Sequence, residues 1–211
     1  HYMGHAGVVS AFAFYKDIKN FAYLTDKGGS PGFELFSDAE TFENGNDASL
    51  YGLELAYSKQ FSSLPAPFNG LLMGANATFV DATAEIDAFD EDAGVTVTRD
   101  IALPSQSDVT GNLMFGYEDK RLSLRLAANY TGKFLQEVSD PLDKRYDIYT
   151  DDHVQLDFNG HYFLTEDLQL TFEAININDE PFYAYTGKEK FNAQYEEYGP
   201  TFKLGLSLKN L

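Results

Sequence analysis

Apolar and polar side chains alternate one by one over long stretches of this chain, and hardly any stretch carries the three-to-four spacing of an amphipathic helix. The clearest run sets Leu122, Leu124, Leu126, Ala128 and Tyr130 against Ser123, Arg125, Asn129 and Thr131. A strand sends successive side chains to opposite faces, so one face of this segment is apolar and the other carries an Arg and an Asn. Burying those groups in a dry core is costly, so the second face must be wet. The pattern recurs with Val154, Leu156, Phe158 and Tyr162 set against Gln155, Asp157, Asn159 and His161. Tyr51, Leu53, Leu55 and Tyr57 alternate with Glu54, Ala56 and Ser58. Val109, Leu113, Phe115 and Tyr117 alternate with Thr110, Asn112 and Gly116, and Phe202, Leu204, Leu206 and Leu208 with Lys203, Ser207 and Lys209. Three further strands are predicted over about 7–24, 70–85 and 167–178, where Gly, Ala and an expected bulge near Asn176 make the alternation less regular. Eight strands are predicted in all.

The connections between these strands alternate in length. Short ones lie at Pro65–Asn69, Glu118–Lys120 and Thr165–Asp167, built from Pro, Asn, Asp and Lys turn chemistry. Long ones lie at about 25–47, 86–106, 140–152 and 183–199. Barrels of the bacterial outer membrane sort their connections this way, with short periplasmic turns and long extracellular loops. A soluble β-sandwich would account for the strands but would more often mix connection lengths through Greek-key crossings. The expected fold is therefore all-β, an antiparallel up-and-down transmembrane β-barrel fragment with both chain ends on the periplasmic side. All 211 residues fall in one unit.

Composition narrows the function classes. There is no cysteine, which removes disulfide-stapled modules and cysteine-ligated metal sites. The formal net charge is −18, with 33 acidic against 15 basic residues, so the chain lacks the basic stripe that a nucleic-acid partner would need. No run approaches the roughly 18 consecutive apolar residues of a membrane helix. The 14 Tyr and 18 Phe suit the aromatic girdles of a membrane barrel, although a soluble β domain would also be aromatic-rich.

No residue set assembles a catalytic site. His1 and His5 stand at the start of the chain, and His153 and His161 lie on or beside one strand, with His161, Asn159 and Asp157 spaced ~7 Å apart along one face. No nucleophile element such as G-x-S-x-G accompanies them. Acidic residues gather in two long connections: Asp87, Asp90, Glu91 and Asp92 in one, and Asp140, Asp143, Asp147, Asp151 and Asp152 in the other. Their spacing matches no EF-hand, so the expectation is a solvated, self-repelling surface with no metal and no cofactor. That acidity also argues against steering polyanions to the loops. Aromatics are the more suggestive feature for ligand contact. Tyr146, Tyr149, Tyr183 and Tyr185 in the last two long connections are the candidate ligand-contacting residues, since such rings stack on sugar faces or apolar ligand parts. Phe191 lies beside them, and Tyr195 and Tyr198 are assigned instead to a girdle at the rim of the closing strand.

Four segments carry a family resemblance. Asn176-Ile177-Asn178-Asp179-Glu180-Pro181-Phe182 resembles the N-L-x-D-x-P-Y/F segment after the penultimate strand of TonB-dependent receptors. Gln194-Tyr195-Glu196-Glu197-Tyr198-Gly199-Pro200-Thr201-Phe202 is similar to the element leading into their final strand. Phe14-Tyr15-Lys16-Asp17-Ile18-Lys19-Asn20-Phe21 and the following Gly52-x-Glu54 match two upstream strand signatures in the right order. The resemblance implies the C-terminal part of a 22-stranded type of barrel, with the plug domain, the TonB-box peptide and the earlier strands absent. It departs at Lys209-Asn210-Leu211, where the family's terminal aromatic, read by the barrel-assembly machinery, is missing. What it implies for function is active nutrient uptake across the bacterial outer membrane, with carbohydrate expected first and an iron-siderophore second. The implied partners are TonB and its inner-membrane energising complex, reached through the missing plug region, together with lipid, lipopolysaccharide and a small-molecule substrate. A passive outer-membrane binding or adhesion barrel and a soluble β-rich carbohydrate-binding module are the alternatives.

Overall fold

The computed structural model describes residues 2–4, 7–90 and 93–208. His1, His5, Glu91, Asp92 and the terminal Lys209-Asn210-Leu211 lie outside the described residues. In chain order, β1 (Tyr2–Gly4) pairs with the start of β2 (Gly7–Lys19), and a small hairpin of β3 (Ala22–Asp26) and β4 (Glu40–Asn44) follows. Next come β5 (Asp47–Gln60) and the long β6 (Leu71–Asp90), with β7 (Val95–Ile101) folding back along the far end of β6. β8 (Val109–Glu118) and β9 (Leu122–Thr131) lead into the short β10 (Phe134–Glu137) and β11 (Ile148–Thr150). β12 (His153–Phe163) and β13 (Leu168–Ile175) precede β14 (Phe182–Thr186), β15 (Asn192–Glu196) and β16 (Thr201–Leu208).

The wall is the antiparallel meander β2-β5-β6-β8-β9-β12-β13-β16, with β1 on its β2 edge. These eight strands are the eight the alternation predicts. Cross-strand register joins Tyr15 to Tyr51, Leu53 to Phe79, Phe115 to Leu126, Leu126 to Phe158 and Phe172 to Leu204. All of these lie on one face, so that face is continuously apolar. Its large side chains stand open: Leu53, Leu55, Phe115, Leu126, Leu204 and Leu206 are all exposed. The opposite face is a polar ladder. Asn112 donates to Asn76 at 2.9 Å, Arg125 to Glu118 at 2.7 Å and Asn129 to Asp157 at 3.2 Å, while Lys203 pairs with Glu173 at 3.4 Å.

The short connections are held by their own side chains. Asp119 accepts the backbone N–H groups of Arg121 and Leu122 at 2.7 and 2.9 Å, and Thr165 Oγ1 accepts that of Leu168 at 3.0 Å. The Gly52-x-Glu54 signature also has a steric basis. Gly52 faces Phe14 directly across the β2–β5 pair, and a Cβ there would come within 2.4 Å of the Phe14 ring. Only glycine lets that ring lie across the strand.

Three sequence expectations are corrected. The predicted 7–24 strand breaks at Asn20, whose φ of 54° is left-handed, and Asn20 N–H turns to the Asn46 carbonyl. The expected bulge near Asn176 is a termination: φ at Asn176 is 55°, and β13 stops at Ile175. Past that point one main-chain bond remains, Ile177 N–H to the Leu156 carbonyl at 2.9 Å, and side chains supply the rest. Asn178 accepts from Leu156 N–H at 2.8 Å and donates to the Val154 carbonyl at 2.7 Å, and Glu180 accepts from Val154 N–H at 3.1 Å. The Asn-Ile-Asn-Asp-Glu segment thus copies a strand with amide and carboxylate groups while the main chain departs. Finally, the long connections are not open loops, since they carry β3, β4, β7, β10, β11, β14 and β15.

The buried core lies where those added strands and the segments beside them meet β5 and β6. Phe21, Tyr23, Ile86, Leu135 and Val138 pack with Ala48, Leu50 and Ala84 at the long-connection end of the wall. Phe14 and Ile18 pack against them, and they share strand parity with the polar face, so the long connections close over that face as a cap.

Candidate functional site

The site is set by a second sheet. β10-β11-β14-β15 draws the connection 132–152 and the connection 176–200 together through the β11–β14 pair. Its register places Leu135 opposite Tyr149 and Tyr149 opposite Tyr185. Leu135 belongs to the cap core, which fixes that face inward and carries the two tyrosines beside it. The Tyr149 and Tyr185 rings stack at 5.7 Å between centroids and 20° between planes. Tyr183 lies 6.2 Å from Tyr185 and meets Tyr195 edge-on at 6.3 Å. These spacings are favourable offset and T-shaped geometries.

A cavity of about 520 Å³ opens against this aromatic ladder. Tyr149, Tyr185, Phe134 and Phe191 supply its rings, and Lys133, Lys144, Arg145 and Lys188 its cations; Asp108 is the acidic residue in the lining. A tight turn presents one side: Phe191 N–H bonds to the Lys188 carbonyl and Thr186 N–H to that of Phe191, both at 2.8 Å. Gly187 in that turn has φ 64°, and a Cβ on it would sit 2.4 Å from the Arg145 carbonyl, so the two connections can approach only because it is glycine.

Asp147 ties the cap together. Its carboxylate is almost fully buried and pairs with Arg99 of β7, whose guanidinium also donates to the Asp140 carbonyl at 2.9 Å. Its main-chain carbonyl accepts Gly187 N–H at 2.8 Å. One residue thereby joins three of the long connections. Burial pushes the Asp147 carboxyl up, and the Arg99 hydrogen bond opposes that shift. Burial likewise raises the Tyr149 and Tyr185 phenols, which therefore stay protonated and able to donate at neutral pH.

Of the four tyrosines singled out in the sequence, Tyr149 and Tyr185 line the cavity. Tyr146 is exposed and outside the lining, and Tyr183 lies beside Tyr185 with its hydroxyl donating to the Glu189 carbonyl. Tyr195, expected at the rim of the closing strand, stands instead in β15 of the cap sheet, and Tyr198 is exposed with its hydroxyl on Glu196. The acidic residues of the long connections serve local structure. Asp87 accepts from Thr98 at 2.7 Å, Asp90 from Ala93 N–H at 3.0 Å, Asp143 from Arg145 and Asp152 from Lys133 N–H at 2.7 Å. Among the described residues no group of three or more His, Asp or Glu is placed to hold a metal. His161 stands on the polar face opposite Ser123, whose hydroxyl is engaged by Arg125. The three lysines were missed in the sequence. The available signal was basic residues set close to aromatic ones, Lys133-Phe134, Lys144-Arg145-Tyr146 and Lys188-Glu189-Lys190-Phe191, inside connections of an otherwise acidic chain.

An open apolar face, a polar ladder behind it and an inward-folded cap define the wall of a transmembrane β-barrel. The family model for the TonB dependent receptor-like β-barrel matches residues 2–177, and the chain belongs to that family. No curated protein sequence matches it. Among solved structures it is similar to the siderophore receptor PiuA from Acinetobacter baumannii, at TM-score 0.60 and 15% identity over 95% of this chain and 26% of that one. It is also similar to the copper transporter OprC, at TM-score 0.64 and 16% identity over 98% and 29%. A mutant of the ferric enterobactin receptor from Pseudomonas aeruginosa with bound enterobactin gives TM-score 0.59 and 20% identity over 98% and 30%. The wall is therefore a fragment of such a barrel, and the chain spans less than a third of these neighbours' length.

Proposed function

We propose that this chain forms the C-terminal part of the barrel of an outer-membrane receptor that imports a scarce nutrient, with TonB and its inner-membrane complex supplying energy through a plug domain beyond this segment. The observation that carries the reading is the cap: external connections folded over the polar side of the wall and holding an aromatic cavity, where an incoming solute would meet the protein first. For the cargo, a metal chelate now ranks ahead of carbohydrate. The neighbours are named as siderophore, ferric enterobactin and copper proteins, and this supports the chelate that the sequence placed second.

Uptake tests this directly. Cells whose receptor contains this chain should accumulate radio-iron from catecholate siderophores, and lose that ability when either the receptor or TonB is deleted. Accumulation of a labelled oligosaccharide under the same genetic control, with no iron uptake, would restore carbohydrate as the cargo. Uptake indifferent to TonB would leave a passive barrel.

A further inference from the structure

Resting on that reading, in which the short turns face the periplasm, we infer that the turn at residues 61–70 anchors the barrel in the periplasmic leaflet. Its Leu64 and Phe68 side chains lie at the boundary between phospholipid headgroups and acyl chains. The first observation is charge. No Asp, Glu, Lys, Arg or His occurs from Gln60 to Val80, although 23% of the chain is charged. The other two short turns are built the opposite way, with Glu118-Asp119-Lys120-Arg121 in one and Glu166-Asp167 in the other. Water would accept charges at all three turns, so their absence from this one points to another solvent. Leu64 is 40% and Phe68 57% exposed, so the turn also leaves its apolar groups uncovered by protein.

The second observation is continuity with the apolar face of the wall. Phe61 N–H donates to the Leu71 carbonyl at 2.8 Å, which carries the β5–β6 pairing one step past Gln60 and Leu72. Leu71 stands opposite Tyr117, and Tyr117 opposite Leu124. Phe61 has the parity of Leu53 and Leu55, so Phe61, Leu71, Tyr117 and Leu124 form one row across the apolar face. The turn hangs from that row. Gly70 lies against the Tyr117 ring, where an added Cβ would come within 2.9 Å.

Lys59 supplies the third observation. It is the last charge before the uncharged stretch, it shares the apolar-face parity, and its ammonium lies 5.1 Å from the centroid of the Phe61 ring. Among the described residues no carboxylate pairs with it. A stem laid along apolar surface with a cation at its end suits the edge of a bilayer, where a lipid phosphate is the counter-charge. The turn is also ordered in advance: Leu64 N–H bonds to the Phe61 carbonyl and Phe68 N–H to that of Pro65, both at 2.9 Å. Its side chains therefore lose little freedom on entering lipid. The short-turn rim is thus uneven, with one turn held in the leaflet and two standing in water.

The experiment uses the intact receptor that contains this chain, reconstituted in phospholipid nanodiscs with no other protein. Single nitroxide labels are attached through Leu64→Cys, Phe68→Cys, Glu166→Cys and, within the wall, Leu126→Cys. Collision with oxygen, which concentrates in lipid, is compared with collision with a water-soluble nickel chelate. This chain has no cysteine of its own, and the parent receptor taken through the same labelling supplies the background. The labels at positions 64 and 68 favour oxygen and report a depth of ~5–10 Å, that of an interfacial segment. The label at position 166 favours the nickel chelate. Labels at 64 and 68 as wet as the one at 166 overturn the proposal. Protection that appears only in whole cell envelopes also overturns it, since a periplasmic protein would then be the occupant. Position 126 keeps the two claims apart: wet there, the barrel reading fails and the anchor with it; dry there with 64 and 68 wet, the anchor alone fails.

Discussion

In the wall, Leu53, Phe115, Leu126 and Leu206 lie open on one face while Asn76, Arg125, Asn129 and Asp157 hydrogen-bond across the other. In the cap, Ile86, Leu135 and Val138 are fully enclosed, and the buried Asp147 carboxylate meets the Arg99 guanidinium. The two regions thus place apolar groups on opposite sides of the same chemistry. The cap gains from removing apolar surface from water, as a soluble domain does. The wall gains nothing of the kind within the protein, since its apolar face has no protein partner, and its cohesion comes from the ladder and from an apolar solvent. Function divides along the same line. The wall is a regular scaffold with little room to vary, and the cap, assembled from non-repeating segments, carries the cavity.

The comparison is broken most sharply at Asp147. Asp147→Ala leaves the Arg99 guanidinium buried without its carboxylate, a change that costs about 3–5 kcal/mol in comparable sites. Because the pair links connections and not wall strands, that loss should stay in the cap. Hydrogen exchange in detergent should quicken across 95–101 and 140–150 and leave 122–131 and 153–163 protected. Replacing both partners, Arg99→Met with Asp147→Leu, should recover most of the loss. Wall strands that open together with the cap would show the two regions to be one cooperative unit.

Next in size is charge on the apolar face. Leu124→Lys and Leu156→Lys should each cost ~2–4 kcal/mol near the membrane midplane, with Ser123→Lys and Asn159→Lys tolerated. Urea unfolding of the receptor in lipid vesicles measures this. Equal sensitivity on both faces would mean that both are dry, as in a sandwich.

The wall was legible in the sequence because every strand repeats one rule many times, so a few irregular positions in 70–85 or 167–178 did not hide it. The cap was not. β10 and β11 have four and three residues, too few to display a period, and their faces are set by partners far away in the chain. Tyr23 and Thr25 are buried by segments more than a hundred residues distant, where Thr25 bridges to Val138. The same holds for the site. Aromatic content pointed to the right connections, but which tyrosines turn inward depends on the β11–β14 register, and Lys133 and Lys188 meet only through it. Asp147 looked like one more solvated acid, because nothing in the neighbouring residues announces Arg99.

The smallest expected effect concerns pH, and it separates two carboxylates within the cap. Asp143 closes the turn Lys144–Tyr146, and the Arg145 side chain and N–H on its carboxylate bring its pKa down from 3.8 to about 2. A lowered pKa means the fold favours the charged form. The contribution is therefore complete above 3.8 and lost as pH falls from there toward about 2. Glu137 has the opposite sign. Burial raises its carboxyl above 4.5, so the fold favours the protonated form, and stability is lost as pH rises through the range just above that value. Arg145 is exposed to solvent and the pairing is screened, so the change at Asp143 should be slight and should shrink further in high salt. Hydrogen exchange of 143–147 and 134–138, corrected for intrinsic rates, should show protection falling below pH 3.8 in the first segment and rising with acidification in the second. Strands 122–131 and 153–163 of the wall should follow neither curve. Identical pH profiles in both cap segments would mean that the buried carboxylate and the surface turn titrate as one system.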